Sequence, residues 1–326
     1  MSDAPQRGGH AAAATRARAT GAFIATAALS ALGLGLLWAL SCGVCHAASL
    51  RFCDRQAELS AAQQDKLLRF SAIIKAELEQ SDRSLALIAR SGLDLNRFGV
   101  RYSHAGLSLK ASQNTPWSVR QLYFACDEGK PRLYDQGLSG FLLGTDDPSS
   151  GYVSVVLLPP AEAAELERTA LDNRQALQLL GGTYSANAYP FSARYQNCNQ
   201  WVAEMLAAAW GRSSDDADDN GRTRAQRWLK DKGYVPSVFT VGRPLMWLGE
   251  FIPWLYSDDH PGDDIEQSVY RVSMPASIEA FVHLVVPEAT RIEFCHTDRH
   301  VVIRRGWEQI AEGCRPGAQD TVIALE

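Results

Sequence analysis

The sequence predicts an α+β fold in which an antiparallel sheet packs against a helix that opens on a cysteine. Three observations carry this. Short runs of alternating or wholly apolar residues recur between Ser84 and Leu158, separated by turn residues, as in a strand meander. Longer stretches with apolar residues three and four apart flank them, the period of helices that bury one face. One of these begins at Cys198, and its stripe of Trp201, Val202, Met205, Leu206, Ala209 and Trp210 needs an apolar surface to cover it.

The chain has 326 residues, and its first segment reads as a targeting sequence. Arg7, Arg16 and Arg18 precede an uncharged run from Gly21 to Leu40, and the small residues of Cys45-His-Ala-Ala-Ser follow. That is the order of a secretory signal, with cleavage expected after Ala47 or Ala48. The run is also long enough to span a bilayer, so an uncleaved inner-membrane anchor is the alternative. Ala39-Leu-Ser-Cys42 matches a lipoprotein box only loosely. Each reading places the rest of the chain outside the cytoplasm, in the periplasm, with the membrane nearby only through this segment. The expected organisation is a signal peptide over 1–47, a core over 48–240 and a C-terminal extension over 241–326.

Ser60-Ala-Ala-Gln63 is a capping-box sequence, and Leu67, Leu68, Phe70, Ile73, Ile74 and Leu78 continue it as a helix over 61–79. Strands are expected over 84–89, 100–109, 117–125, 131–135 and 152–158, the last stopped by Pro159-Pro160. Helices follow over 161–171 and 174–180, then from Cys198 to a stop at Gly211, then over 223–232 to a stop at Gly233. Beyond Pro236 the composition is irregular and rich in Trp and Pro. A small strand-rich tail covers 269–325.

Net charge is −5, and the charges are mixed along the chain. No basic patch with interleaved aromatics is present, which excludes nucleic acid as the expected partner. No cofactor or metal is expected. Asp216-x-Asp218-x-Asn220-Gly221 fits the first half of a calcium loop, but Arg227 stands at the twelfth position, where a bidentate glutamate is required. Asp258-Asp-His-Pro-Gly-Asp-Asp264 collects carboxylates and an imidazole along a Pro/Gly turn, a spacing that defines no ligand geometry.

Removal of the signal discards Cys42 and Cys45 and leaves Cys53, Cys126, Cys198, Cys295 and Cys314. Disulfides persist in an oxidising compartment, and an odd count leaves one thiol over. The simplest partition leaves Cys198 free, with Cys53–Cys126 and Cys295–Cys314 as one of three pairings of the other four.

A cysteine at a helix start is also where a thiolate is stabilised, by unpaired N–H groups and the positive end of the helix dipole. His104 lies on a strand far upstream. Folding that strand back through a turn centred near Gln113 sets His104 level with residues 121–123. Gln121 can then fix the imidazole, the part played by the third group of a thiol triad. Asp135, one strand further, is a second candidate for that part. The backbone N–H groups of Cys198 and Asn199 are candidates for an oxyanion hole. The bland alternative is a binding module that uses no thiol chemistry, with Trp201, Trp210, Trp247 and Trp254 lining a groove or filling the core.

Ser103-His-Ala-Gly-Leu107, followed far downstream by Tyr195-Gln-Asn-Cys-Asn-Gln-Trp-Val, resembles the circularly permuted branch of the NlpC-type, papain-like superfamily. In that branch a histidine strand precedes the cysteine helix. Pro116-Trp-Ser-Val-Arg-Gln-Leu-Tyr, Tyr134-Asp-Gln-Gly-Leu, Tyr189-Pro-Phe, Gln226-Arg-Trp-Leu and Asp258-Asp-His-Pro resemble an uncharacterised family of exported bacterial proteins, a domain of unknown function. The resemblance implies a permuted papain-like core with Cys198 as nucleophile, His104 as base and a polar orienter on the next strand. Gln121 stands where some relatives have histidine, and some relatives have serine in place of Cys198. The resemblance also implies hydrolysis or acyl transfer at an amide of a cell-wall or other peptide, or at an acyl-lipid bond.

Overall fold

The computed structural model describes residues 59–145, 147–211 and 220–325. All of them fall in one compact unit within residues 54–326. The signal segment, Cys53, Asp216 and Asp218 lie outside the described residues.

The architecture is mixed α and β, built on one eight-stranded antiparallel sheet. Helix α1 (Ala61–Gln80) starts with the capping box: Ser60 accepts from the Gln63 backbone N–H, and the Gln63 side chain accepts from the Ser60 N–H. Strands β1 (Leu85–Arg90), β2 (His104–Leu109), β3 (Ser118–Ala125) and β4 (Lys130–Gln136) form the meander. Helix α2 (Leu138–Leu143) and strand β5 (Gly151–Leu157) follow. Next come α3 (Pro160–Leu171), α4 (Asn173–Gln178), α5 (Cys198–Trp210) and α6 (Gly221–Asp231). The last part holds β6 (Ser237–Thr240), α7 (Arg243–Gly249), α8 (Gly262–Glu266), β7 (Val269–Val272), α9 (Pro275–Val285), β8 (Thr290–His296), β9 (His300–Arg305) and β10 (Thr321–Ala324). The sheet order is β10-β9-β8-β5-β1-β2-β3-β4, and β6 and β7 form a separate two-stranded ribbon.

Strand β1 is buried along its whole length because the sheet is covered on both faces. Ala86 and Ile88 join Phe70, Ile74 and Leu78 of α1 and Phe141 of α2 in one apolar cluster. The intervening Leu85, Leu87 and Ala89 point to the opposite face, where α3 packs on β1 and α5 packs on β2 and β3.

The strand-rich C-terminal part expected as an extension is built into this sheet. Strand β8 pairs with β5 along seven residues, from Gly151↔His296 to Leu157↔Thr290. Helix α9 stands where the tail was expected to hold strands, and its apolar residues Ile278, Phe281 and Val282 are buried. A disulfide joins Cys295 of β8 to Cys314. A loop of this size is worth about 3 kcal/mol in chain entropy. Cys126 is likewise in a disulfide.

Two buried charge networks fix the loops around the sheet. Arg101 and Arg291 meet Glu293 and Glu279, and the Tyr102 hydroxyl donates to Glu293. They tie the segment just before β2 to the C-terminal strands. On α5, the fully buried carboxylate of Glu204 accepts from Arg222 at 2.9 and 3.1 Å, Gln196 at 2.6 Å, Gln226 at 2.7 Å and Gln200 at 3.2 Å. Arg222 also donates to the carbonyls of Ala193 and Tyr195. Breaking such a pair on one side leaves a bare buried charge. Arg222→Met therefore lowers stability by about 3–5 kcal/mol, read as the shift in a urea unfolding curve. A loss under about 1 kcal/mol would show that the pair does not hold this loop.

Candidate active site

The nucleophile candidate is the first residue of α5. Asn197 caps the helix, its Oδ1 accepting from the Gln200 N–H at 2.7 Å. Its Nδ2 reaches the carbonyls of Ala186 and Ser273, so the cap is tied to two other segments. Cys198 is the free cysteine among the described residues. Its sulfur faces the N–H groups of Asn199 and of Cys198 itself, and the Tyr184 hydroxyl. Tyr184 is placed there by a short parallel bridge to Gln196.

The histidine comes from the other layer. His104 is the first residue of β2 and lies directly across from Arg90 on β1. That pairing puts it on the same face as Ile88 and Ala86, beside Phe141 of α2, whose ring is 5.8 Å away. It stands at the strand's end, next to Ser103. Asn199 Nδ2 donates to the Ser103 carbonyl at 3.1 Å, joining the residue after the thiol to the residue before the imidazole.

His104 Nε2 and Gln121 Oε1 are 2.6 Å apart, and Gln121 Nε2 donates to Gln136 Oε1 at 2.8 Å. With Oε1 toward the ring, Gln121 accepts from the tautomer that carries its proton on Nε2, and that tautomer leaves Nδ1 to exchange a proton with a thiol. The register Leu107↔Arg120 to Leu109↔Ser118, continued along the strands, brings Gln121 opposite Gly106. A Cβ at Gly106 would lie 2.5 Å from the Val119 side chain and 3.0 Å from the Arg120 carbonyl, so glycine is required where the two strands carry this contact.

Asp135 does not take the orienting position. Its carboxylate is held by Arg120 at 2.7 and 2.6 Å, its cross-strand partner, and Arg120 continues to Asn173 at the α3–α4 junction. Trp201 is fully buried, with its indole N–H on the Ala176 carbonyl, and Trp254 is buried. Trp210 donates to the Glu162 carbonyl, while Trp247 is exposed. The four tryptophans therefore line no common groove. The Asp258–Asp264 turn is a structural clasp: Asp259 accepts from the Tyr189 N–H, His260 bonds the Asn187 carbonyl, and Asp264 pairs with Arg271. Among the described residues no three His, Cys, Asp or Glu side chains are grouped to hold a metal ion.

Sequence reasoning missed Arg90. The expected strand stopped at Ala89, one residue short. The available signal was a cation closing an otherwise apolar strand, Leu-Ala-Leu-Ile-Ala-Arg. Its guanidinium is 4% exposed and acts on both Cys198 and His104.

Residues 77–282, which include Arg90, His104, Gln121 and Cys198, match the family described as uncharacterized protein conserved in bacteria (DUF2145). The chain belongs to this family. No curated protein and no solved structure matches it.

The electrostatics of this DUF2145 chain run against the expectation of a ready-made thiolate. The stabilising groups are present: two helix-start N–H groups, the Tyr184 hydroxyl and Arg90. Burial outweighs them and pushes the Cys198 thiol up to about 11. Burial and the Arg90 charge push the His104 imidazole down to about 3, against a smaller upward pull from Gln121. The resting pair at neutral pH is thus thiol and neutral imidazole.

The same burial makes stability depend on pH. His104 and His296, the latter held down to about 4 by burial beside Phe70, stay neutral in the folded chain. Unfolding frees both to bind protons near pH 6.5. Between about pH 6.5 and 4 the unfolded state therefore holds more protons, and stability falls as pH falls. His104→Gln removes one of these protons, so the slope of unfolding free energy against pH in that window flattens by up to about 1.4 kcal/mol per pH unit. Urea midpoints taken from pH 4 to 7 check this, and an unchanged slope would place the His104 titration outside the fold.

Proposed function

We propose that this chain is an exported thiol hydrolase or acyltransferase that uses Cys198 as nucleophile, His104 as base and Gln121 as the positioning residue. The observation that carries the reading is the held imidazole: Gln136 bonds Gln121, Gln121 bonds His104, and Asn199, next to Cys198, donates to the carbonyl of Ser103, next to His104. Export is read from the Arg-rich, then apolar, then small-residue order of the first 48 residues. Two disulfide-bonded positions, Cys126 and Cys295, fit an oxidising compartment. No helix among the described residues is long and apolar enough to cross a membrane. The chain order, histidine strand before cysteine helix, fits a circularly permuted papain-like core.

The reaction begins from the neutral pair. His104 Nδ1 takes the thiol proton as the sulfur attacks a carbonyl carbon. Negative charge moves to the carbonyl oxygen, which accepts from the helix-start N–H groups of Cys198 and Asn199. The imidazolium gives its proton to the departing amine or alkoxide, leaving a thioester. Water, deprotonated by the same imidazole, releases the acid and restores the thiol. The substrate class is an amide of a cell-wall or other peptide, or an acyl-lipid bond.

A second reading, an envelope binding module without turnover, draws on one observation: the thiol is only 9% exposed and is held up near 11. Alkylation of Cys198 by iodoacetamide, followed by mass spectrometry across pH 6 to 10, separates the two. Under the hydrolase reading the rate rises with pH, and His104→Ala slows labelling at pH 7.5 by tenfold or more. Gln121→Ala slows it less, since the ring keeps its basic nitrogen and loses only its anchor. Cys198→Ala abolishes turnover of any substrate found while leaving the fold intact. Equal labelling in wild type and His104→Ala would sink the pair.

A further inference from the structure

Among the described residues, the buried guanidinium of Arg90 has no counter-anion. It lies at the end of a central strand, and no carboxylate among the described residues pairs with it. Its Nη2 donates to the Tyr123 hydroxyl at 2.9 Å and its Nη1 to the Ser91 carbonyl at 3.3 Å, both neutral acceptors. Its Nε–H finds no acceptor among the described residues. A guanidinium is always charged, and at this burial an uncompensated charge is costly unless something offsets it. The other arginines buried to this degree, Arg222 and Arg291, each sit on glutamates.

The surroundings are built to keep Arg90 where it is. A Cβ at Gly92 would lie 2.5 Å from Nη1, and one at Gly144 would lie 2.4 Å from Nη2. Phe141 lies 5.2 Å beneath the guanidinium carbon and also flanks the His104 ring. Tyr123 joins the two as well, with its hydroxyl on Arg90 and its ring 5.0 Å from the imidazole. Arg90 and His104 are direct cross-strand partners, so their Cβ atoms stand about 4.5–5.5 Å apart on one face. The cation therefore belongs to the site of the proposed pair.

We infer that Arg90 is the receptor for a carboxylate carried by the substrate close to its scissile carbonyl. The planar fork of a guanidinium matches the two oxygens of a carboxylate. The inference rests on the proposed nucleophile and narrows its substrates to anionic acyl donors: an amide or ester beside an acidic side chain or a free carboxyl terminus. Neutral acyl chains would leave the guanidinium unpaired.

Two alkylating agents of nearly equal size test this, iodoacetate with a carboxylate and iodoacetamide without. In each, the Cys198 sulfur bonds to the methylene carbon as iodide leaves and the thiol proton passes to His104 or water. Rates are referred to glutathione in the same buffer. At Cys198 the iodoacetate-to-iodoacetamide ratio should exceed that of glutathione by at least tenfold. Arg90→Gln should return the ratio to the glutathione value, and Arg90→Lys should keep part of the preference. Acetate, but not acetamide, should slow iodoacetate labelling of the wild type by competing for the guanidinium, a comparison that needs no variant to fold. A ratio equal to that of glutathione, with Cys198 readily labelled by iodoacetamide, would overturn the carboxylate receptor and leave the nucleophile standing. Should neither reagent label the folded protein, the nucleophile reading falls. The receptor is then decided by thermal unfolding in acetate against chloride at equal ionic strength. An upward shift present in wild type and absent in Arg90→Gln supports it, and equal shifts overturn it.

Discussion

The position of the candidate nucleophile depends on one buried ion pair, Glu204 with Arg222. A helix N-terminus is only as well placed as the chain leading into it, and residues 193–197 have little secondary structure of their own. Arg222 grips the carbonyls of Ala193 and Tyr195, and Glu204 reaches Gln196 from within α5 itself. Gln196 in turn takes the Gly181 N–H and gives to the Leu179 carbonyl. The carboxylate is thus the hub through which α5, α6 and the loop after α4 agree on where Cys198 begins. Burial raises the pKa of Glu204, while Arg222, Gln226 and Gln196 all pull it down. An apolar replacement of the pair could fill the same volume, but it would not bind four chain segments at once.

The meander was legible in the sequence because strand period and turn chemistry are local. The fold-back through the β2–β3 turn could be read from spacing alone, and the observed register centres within a residue of Gln113. What pins that register was not legible. Trp117 sits at φ 67°, a left-handed conformation that costs a branched or bulky residue roughly 1–2 kcal/mol. It is offset by full burial of the indole and by a backbone bond from the Trp117 N–H to the Leu109 carbonyl. The helix starting at Cys198 was equally readable, from the Trp201–Trp210 stripe and the stop at Gly211. The C-terminal strands were not placed, because β5 and β8 are separated by more than a hundred residues and no short-range pattern records their pairing.

The ionisation of the site was misread for a related reason. Helix dipole and N–H groups can be inferred from a sequence, since they follow from the cap. Desolvation cannot, because it is set by what the other layer brings. Here it brings Phe141, Tyr123 and the sheet end, and these raise the cost of either ion above what the helix start returns. Asp135 shows the same limit on a smaller scale. Its place one strand beyond Gln121 made it eligible, but Arg120 lies directly across from it and takes both carboxylate oxygens.

Arg90 makes these features interdependent. While unpaired, it opposes protonation of His104 and favours the thiolate of Cys198, so it weakens the base while it helps the nucleophile. A carboxylate seated on the guanidinium would cancel much of that field at both groups. The imidazole would gain basicity as it is asked to accept the thiol proton, and the imidazolium would then survive long enough to protonate the leaving group. A site arranged in this way is quiet toward water and neutral molecules and turns basic on the arrival of its own ligand. The Nε–H unsatisfied among the described residues and the depressed imidazole are then two aspects of one arrangement: a buried cation on neutral acceptors beside a base held neutral.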